Sequence, residues 1–125
     1  MDLNNDKELR KQMVELLDNP PFAQQEKSKA KDRKDTPVYS GLIKYFPDAL
    51  KEIAKASKIG NDQHLPNQPL HWDRTKSSDD LDAMVRHLLD HASGEVFDDC
   101  GTRHIVKCGW RILAHIQKTI DNENN

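Results

Sequence analysis

The stretch DDLDAMVRHLLDHASGEVFDDCGTRHIVKCGWRILAHIQKTI, residues 79–120, decides the fold. Leu81, Met84, Val85, Leu88, Leu89 and Ala92 recur at i, i+3, i+4, i+7, i+8 and i+11. That period predicts a helix over 79–93 with a core-facing stripe. Ser78 is its expected cap, and Asp79 and Asp80 favour the positive end of the helix dipole. Gly94 ends it, and the acidic turn EVFDDCG (95–101) leads into a second helix over 102–120. There Ile105, Gly109, Ile112, Leu113, Ile116 and Ile120 form the expected buried face. Two long helices joined by a short turn predict an antiparallel hairpin in an all-α domain.

Upstream, residues 60–78 (GNDQHLPNQPLHWDRTKSS) read as a long loop. Loops of that length inside a compact domain are uncommon and often functional. Pro47 opens a helix over 47–59, with Leu50, Ile53, Ala54 and Ser57 on one side and Gly60 as a left-handed stop. TPVYSGLIKYFP (36–47) is rich in β-branched and aromatic residues and reads as an extended segment bent at Gly41, with Phe46 buried. Residues 5–18 form an amphipathic helix with Leu9, Met13, Leu16 and Leu17 in one stripe, stopped by Asn19-Pro20-Pro21. QQEKSKAKDRKD (24–35) has no aliphatic side chain larger than Ala30 and reads as a charged linker. The expected division is a helix and linker over 1–36, a helical domain over 37–121 and a disordered tail over 122–125.

Composition narrows the function classes. Of 125 residues, 35% are hydrophobic and 32% charged, and mean hydropathy is −0.89. So thin a core predicts a homo-oligomer. No run approaches the ~18 apolar residues of a membrane span. Met1 is followed by DLNNDKELRKQ, which lacks the apolar region of a secretory signal, so a cytoplasmic location is expected. Cys100 and Cys108 are expected as free thiols there. A net charge of −2 gives no bulk attraction for duplex nucleic acid or anionic lipid.

The chemistry-bearing residues gather in the second half, where all six histidines lie. Four-residue spacing makes His87 and His91 neighbours on one helix face, with Asp90 beside them. On the return helix His104, Cys108, Arg111 and His115 form a stripe, and the hairpin would bring His104 to Asp90 and His91. His87, Asp90 and His104 are therefore candidate catalytic groups, and imidazole with carboxylate suits a transition metal. The plainer alternative is histidines that flank the core and hydrogen-bond locally. The spaced acids Asp79/Asp82 and Glu95/Asp98 would suit Mg²⁺ if they faced each other, or else serve as dipole partners. Asp82, His91, Glu95 and Asp98 are the candidate metal ligands. In the loop, Trp72 with His71, Arg74 and Lys76 suits a stacked nucleobase with its phosphates held by cations, or else a plug pinning the loop. Lys44, Arg103 and Lys107 are further phosphate candidates, the last two at a helix start.

The segments VYSGLIKYFPDALKEIAKAS, PLHWDRTKS, DAMVRHLLDH and DCGTRHIVKCGWRIL resemble a bacteriophage family, the dATP/dGTP diphosphohydrolase N-terminal domain family, over about Pro37 to Gln117. Its most specific pieces are Tyr45-Phe46-Pro47, His71-Trp72-Asp73, Arg86-His87-Leu88 and Arg103-His104 with Lys107, Trp110 and Arg111. The resemblance implies a protein of the host cytosol that splits a purine deoxynucleoside triphosphate into monophosphate and pyrophosphate with Mg²⁺ or Mn²⁺. It also implies kinship with helical, oligomeric pyrophosphohydrolases that hold metal on E-x-x-E and E-x-x-D pairs. Glu95…Asp98 has the second spacing, but no E-x-x-E precedes it, and Lys55 stands three residues after Glu52. Three functions follow: such a hydrolase, a nucleotide-binding protein that sequesters a host defence signal without turnover, or a helical interaction module docking through its N-terminal helix.

Overall fold

The computed structural model describes residues 3–18 and 29–125. The chain divides into two compact units, Met1–Tyr45 and Phe46–Asn125. Among the described residues the fold is all-helical. No strand forms, only an isolated bridge between Phe97 and Arg103.

In the first unit, α1 spans Leu3–Asp18. Leu9, Met13 and Val14 are exposed, while the side chains of Leu16 and Leu17, the Asn19-Pro20-Pro21 stop and the start of the linker lie outside the described residues. Residues 29–34 are helical rather than linker, in keeping with an Ala/Lys/Arg-rich composition of good helix formers. The extended reading of 36–47 is also corrected. Tyr39–Ile43 form a π-helical turn, with Lys44 N donating to Tyr39 O and Gly41 N to Pro37 O. The β-branched side chains fit a strand only where a neighbour supplies a ladder. Val38 to Ile43 are all exposed in this unit, and local bonds satisfy the backbone instead.

The second unit holds α2 (Pro47–His64), α3 (Asp80–Ala92) and α4 (His104–Glu123). Pro47 sits in the first turn of α2, as expected. Gly60 does not stop this helix, which runs one turn further and ends with Leu65 N donating to Asn61 O. Phe46, expected buried, is exposed. At α3 the N-cap is Asp79, not Ser78, and it makes no side-chain capping bond. The C-terminal residues expected to fray are helical through Glu123, with Asn124 as the C-cap.

Helix α4 packs on both α2 and α3. Against α2, Gly109 permits close approach: a Cβ there would lie 3.0 Å from Ile53 Cδ1. The neighbouring Trp110 Nε1 donates to Ser57 Oγ. Against α3, His104 meets His87, Cys108 Sγ donates to Met84 O, and Arg111 and Lys118 bind Asp80. Partners on α3 descend in number as those on α4 climb.

The expected burial is inverted in the single chain. Leu81, Val85, Leu88 and Leu89 on α3 are exposed, as are Ile105, Ile112, Leu113, Ile116 and Ile120 on α4. The buried residues of the two helices include Asp80, Ala83, His104, Val106, Cys108 and Ala114. Asp80, Ala83, Met84 and His87 are themselves spaced at three and four, so α3 carries two stripes. The polar one faces α4, and the apolar one is left open.

Candidate functional site

Residue Asn61 organises the loop that follows α2. Its Oδ1 accepts from His71 N at 3.1 Å and its Nδ2 donates to Gln68 O at 3.2 Å. Asn61 continues the Ile53, Ser57 spacing, so it sits on the buried side of α2 and pins the loop from within. Trp72 is then held edge-on to Trp110, with ring centroids 5.7 Å apart. The Arg74 guanidinium lies 4.9 Å from the Trp72 ring and pairs with Asp121 at 3.1 Å. Asp73 accepts from the Thr75 hydroxyl and amide, which hold its carboxyl below the ordinary range.

His71, Trp72, Lys76 and Ser77 share a cleft of about 760 Å³ with His87, Cys100, Lys107, Trp110 and Arg111. That volume suits a small organic ligand of nucleotide size. The loop indole and the His-bearing helix pair therefore line one concavity.

Beside the cleft, His104 opens α4 and is only 3% exposed. Its Nδ1 lies 2.8 Å from His87 Nδ1, so one nitrogen carries the proton and the other accepts it. Asp90 Oδ2 stands 3.9 Å from His104 Nδ1, and Glu95 Oε2 3.9 Å from His104 Nε2. Among the described residues two trios of potential ligands result, His87/Asp98/His104 and Asp90/Glu95/His104, each with donor atoms within 4.8 Å of one another. His104 Nε2 and His91 Nδ1 are buried without a hydrogen-bond partner among the described residues.

Burial, then the Lys107 charge, lowers the basicity of His87 against the opposing pull of Asp98. Lys107 itself binds the Asp98 carboxylate, and that bond leads the causes holding Asp98 below its usual range. Burial works against the Lys107 ammonium, but Asp98 and Cys100 outweigh it and raise its pKa. Burial likewise works to raise the Cys100 thiol, yet hydrogen bonding from Thr102 and Lys107 leaves it lowered. Cys108 is pushed up by burial. Both thiols are free.

At the opposite end of α3, Asp80 accepts from Arg111 Nη1 at 2.8 Å and Lys118 Nζ at 2.7 Å. Arg111 also donates to Ser77 Oγ, and Lys118 to Ser77 O. Burial opposes ionisation of Asp80, but the two cations prevail and its carboxyl is lowered.

Several expected site residues stand elsewhere. Asp82 is exposed near the start of α3, and Asp79 bonds Ser77 and pairs with Arg86 and Arg111. A 13-residue helix rises about 20 Å, so Asp79 and Asp82 cannot face Glu95 and Asp98, which follow its far end. Glu95 and Asp98 fall in different trios, and His91 is in neither. Arg103 stacks 4.9 Å from Phe97 and does not line the cleft. Lys44 belongs to the other unit. Asn61, Trp110 and Cys100 also line the cleft, beyond the residues expected from the sequence. The continuation of the α2 stripe past Gly60 was the signal for Asn61, and the scarcity of tryptophan, two in the chain, was the signal for Trp110.

The family described as dATP/dGTP diphosphohydrolase, N-terminal, matches residues 25–125. The chain belongs to this family. The match takes in the whole second unit of this dATP/dGTP diphosphohydrolase N-terminal family member, cleft and His–carboxylate cluster included, and leaves out α1. A nucleotide substrate fits the family. No curated protein and no solved structure matches the chain. Among the described residues no helix is long and apolar enough to cross a membrane.

Proposed function

We propose that the protein binds a purine deoxynucleoside triphosphate in the cleft and hydrolyses it to monophosphate and pyrophosphate. The observation that carries this reading is the shared wall: Trp72, Lys76 and His71 line the same cleft as His87, Lys107 and Arg111. The base stacks against the Trp72 indole, and Lys76, Lys107 and Arg111 face the phosphates. His87 is kept neutral by burial and neighbouring cations, and with its Nδ1 accepting from His104 it donates its Nε2–H to a phosphate oxygen as water adds to the α-phosphorus, pyrophosphate leaves and the water's proton passes to a phosphate oxygen. His104 holds the His87 ring through its Nδ1. A divalent ion, Mg²⁺ or Mn²⁺, would fit among the carboxylates around His104. When bound it neutralises phosphate charge and acidifies water.

The test is to incubate the full chain with dATP or dGTP and Mg²⁺ or Mn²⁺ and quantify pyrophosphate. Release above a protein-free control supports the reading, and no release with either metal overturns it. A second reading, sequestration without turnover, is favoured by the Lys107 ammonium that already neutralises Asp98. Its outcome is a nucleotide bound tightly and recovered intact. The open apolar faces of α3 and α4 support a homo-oligomer built on them, because contiguous exposed apolar surface marks an interaction site. Light scattering should show more than one chain per particle, and Leu88→Lys with Ile112→Lys should reduce it to single chains.

A further inference from the structure

We propose that Asp90, Glu95 and His104 together hold one divalent transition-metal ion, with His87 fixing the tautomer of His104. A nitrogen buried without a partner destabilises a fold unless a ligand completes it. His104 Nε2 is such an atom, on a side chain 4% exposed. Glu95 Oε2 stands 3.9 Å from it, too far for a hydrogen bond. That separation suits two donors on one ion, since each metal–ligand bond is about 2.1 Å. The 2.8 Å contact between His87 Nδ1 and His104 Nδ1 then has a role. If His104 donates its Nδ1 proton to His87, the lone pair is left on Nε2, facing Glu95. Metal-binding histidines commonly give their second N–H to such an orienting partner.

The other trio is less suited. Its Asp98 is already bound by Lys107, and the Nδ1 atoms of its two imidazoles are taken up by their own hydrogen bond. Asp90 and Glu95, by contrast, have ion pairs with His104 alone among the described residues. Two carboxylates balance the charge of a divalent ion. An imidazole in the set favours Mn²⁺, Co²⁺, Ni²⁺ or Zn²⁺ over Mg²⁺, which prefers oxygen donors and retained water. The inference refines the metal of the proposed reaction and rests on that reading for its purpose. It is measured without nucleotide, so either can fail alone.

The test is calorimetric titration of the full chain with Zn²⁺ and, separately, with Mg²⁺. One high-affinity Zn²⁺ per chain is expected, bound at least about ten-fold more tightly than Mg²⁺. His104→Ala and Glu95→Gln should each weaken Zn²⁺ by about ten-fold or more, and His87→Phe by about ten-fold through loss of orientation. Asp98→Asn should leave it within about three-fold, separating the two trios. Circular dichroism melting confirms that each variant folds, and Glu95 is 63% exposed, so its replacement tests the site even if His104→Ala unfolds. The proposal is overturned by Zn²⁺ binding no tighter than Mg²⁺, by unchanged affinity in Glu95→Gln, or by equal loss in Asp98→Asn.

Discussion

The two ends of the α3–α4 contact are built on opposite rules. At the Asp80 end a buried carboxylate meets Arg111 and Lys118, and both cations also reach Ser77. At the His104 end two buried imidazole nitrogens, on His91 and His104, have no partner among the described residues. Native interiors satisfy nearly all such atoms, and a local deficit asks for a ligand. The saturated end holds the helices in place, and the deficient end has unmet donors and acceptors to offer a ligand.

The sharpest way to break this contrast is at the saturated end. Asp80→Asn removes one charge of a buried network and leaves Arg111 and Lys118 facing a neutral amide. Denaturant unfolding should show a loss of about 3 kcal/mol, as for other broken buried pairs. The pH dependence follows from the lowered Asp80 carboxyl. A depressed folded pKa means its stabilisation is complete above the unfolded value near ~3.9 and is lost as pH falls through the folded value. Stability of the native chain should therefore fall more steeply below pH ~4 than that of Asp80→Asn.

Between the ends lies the cleft, where Trp72→Ala should weaken nucleotide binding by about ten- to a hundred-fold, read by equilibrium dialysis. An unchanged affinity would move the base away from the loop. At the deficient end, His91→Leu removes a buried nitrogen that bonds nothing among the described residues. Stability should be unchanged or rise by about 1 kcal/mol; a comparable loss would mean that His91 has a partner and that the contrast is overstated. The smallest effect is expected at Gly60, inside α2 with nothing within 4 Å of an added Cβ. Gly60→Ala should add about 0.5–1 kcal/mol, seen as a higher melting temperature.

Helical periodicity located α3 and α4, because three- and four-residue spacing is a backbone property visible in any single chain. It did not say which side of α3 faces inward. Leu81, Val85 and Leu88 make the stronger apolar pattern, yet Asp80, Ala83 and His87 meet α4. Hydropathy records that a face avoids water, not whether its cover comes from the same chain. The π-helical turn at Tyr39–Ile43 was misread for a related reason, since strand preference is a preference for a neighbour. Pairing within the site was partly legible: His104 was placed near Asp90 by the short acidic turn alone. The carboxylate partnership of Asp79 and Asp82 with Glu95 and Asp98 failed on helix length. Asn61 is hidden behind Gly60, which has the look of a helix stop, and its two loop contacts reach seven and ten residues along the chain, beyond what local patterns encode.

The two thiols give the chain a built-in optical handle. Cys108 is buried, donates to Met84 O and carries a raised pKa, so it is slow toward alkylating reagents. Cys100 is partly accessible, lines the cleft and carries a lowered one. Thiolate fraction and access govern such reactions, so a maleimide dye under mild conditions should label position 100 first. The chain thus accepts a single fluorophore at the cleft wall with no cysteine engineered in or out, and its emission would follow the filling of the cleft directly.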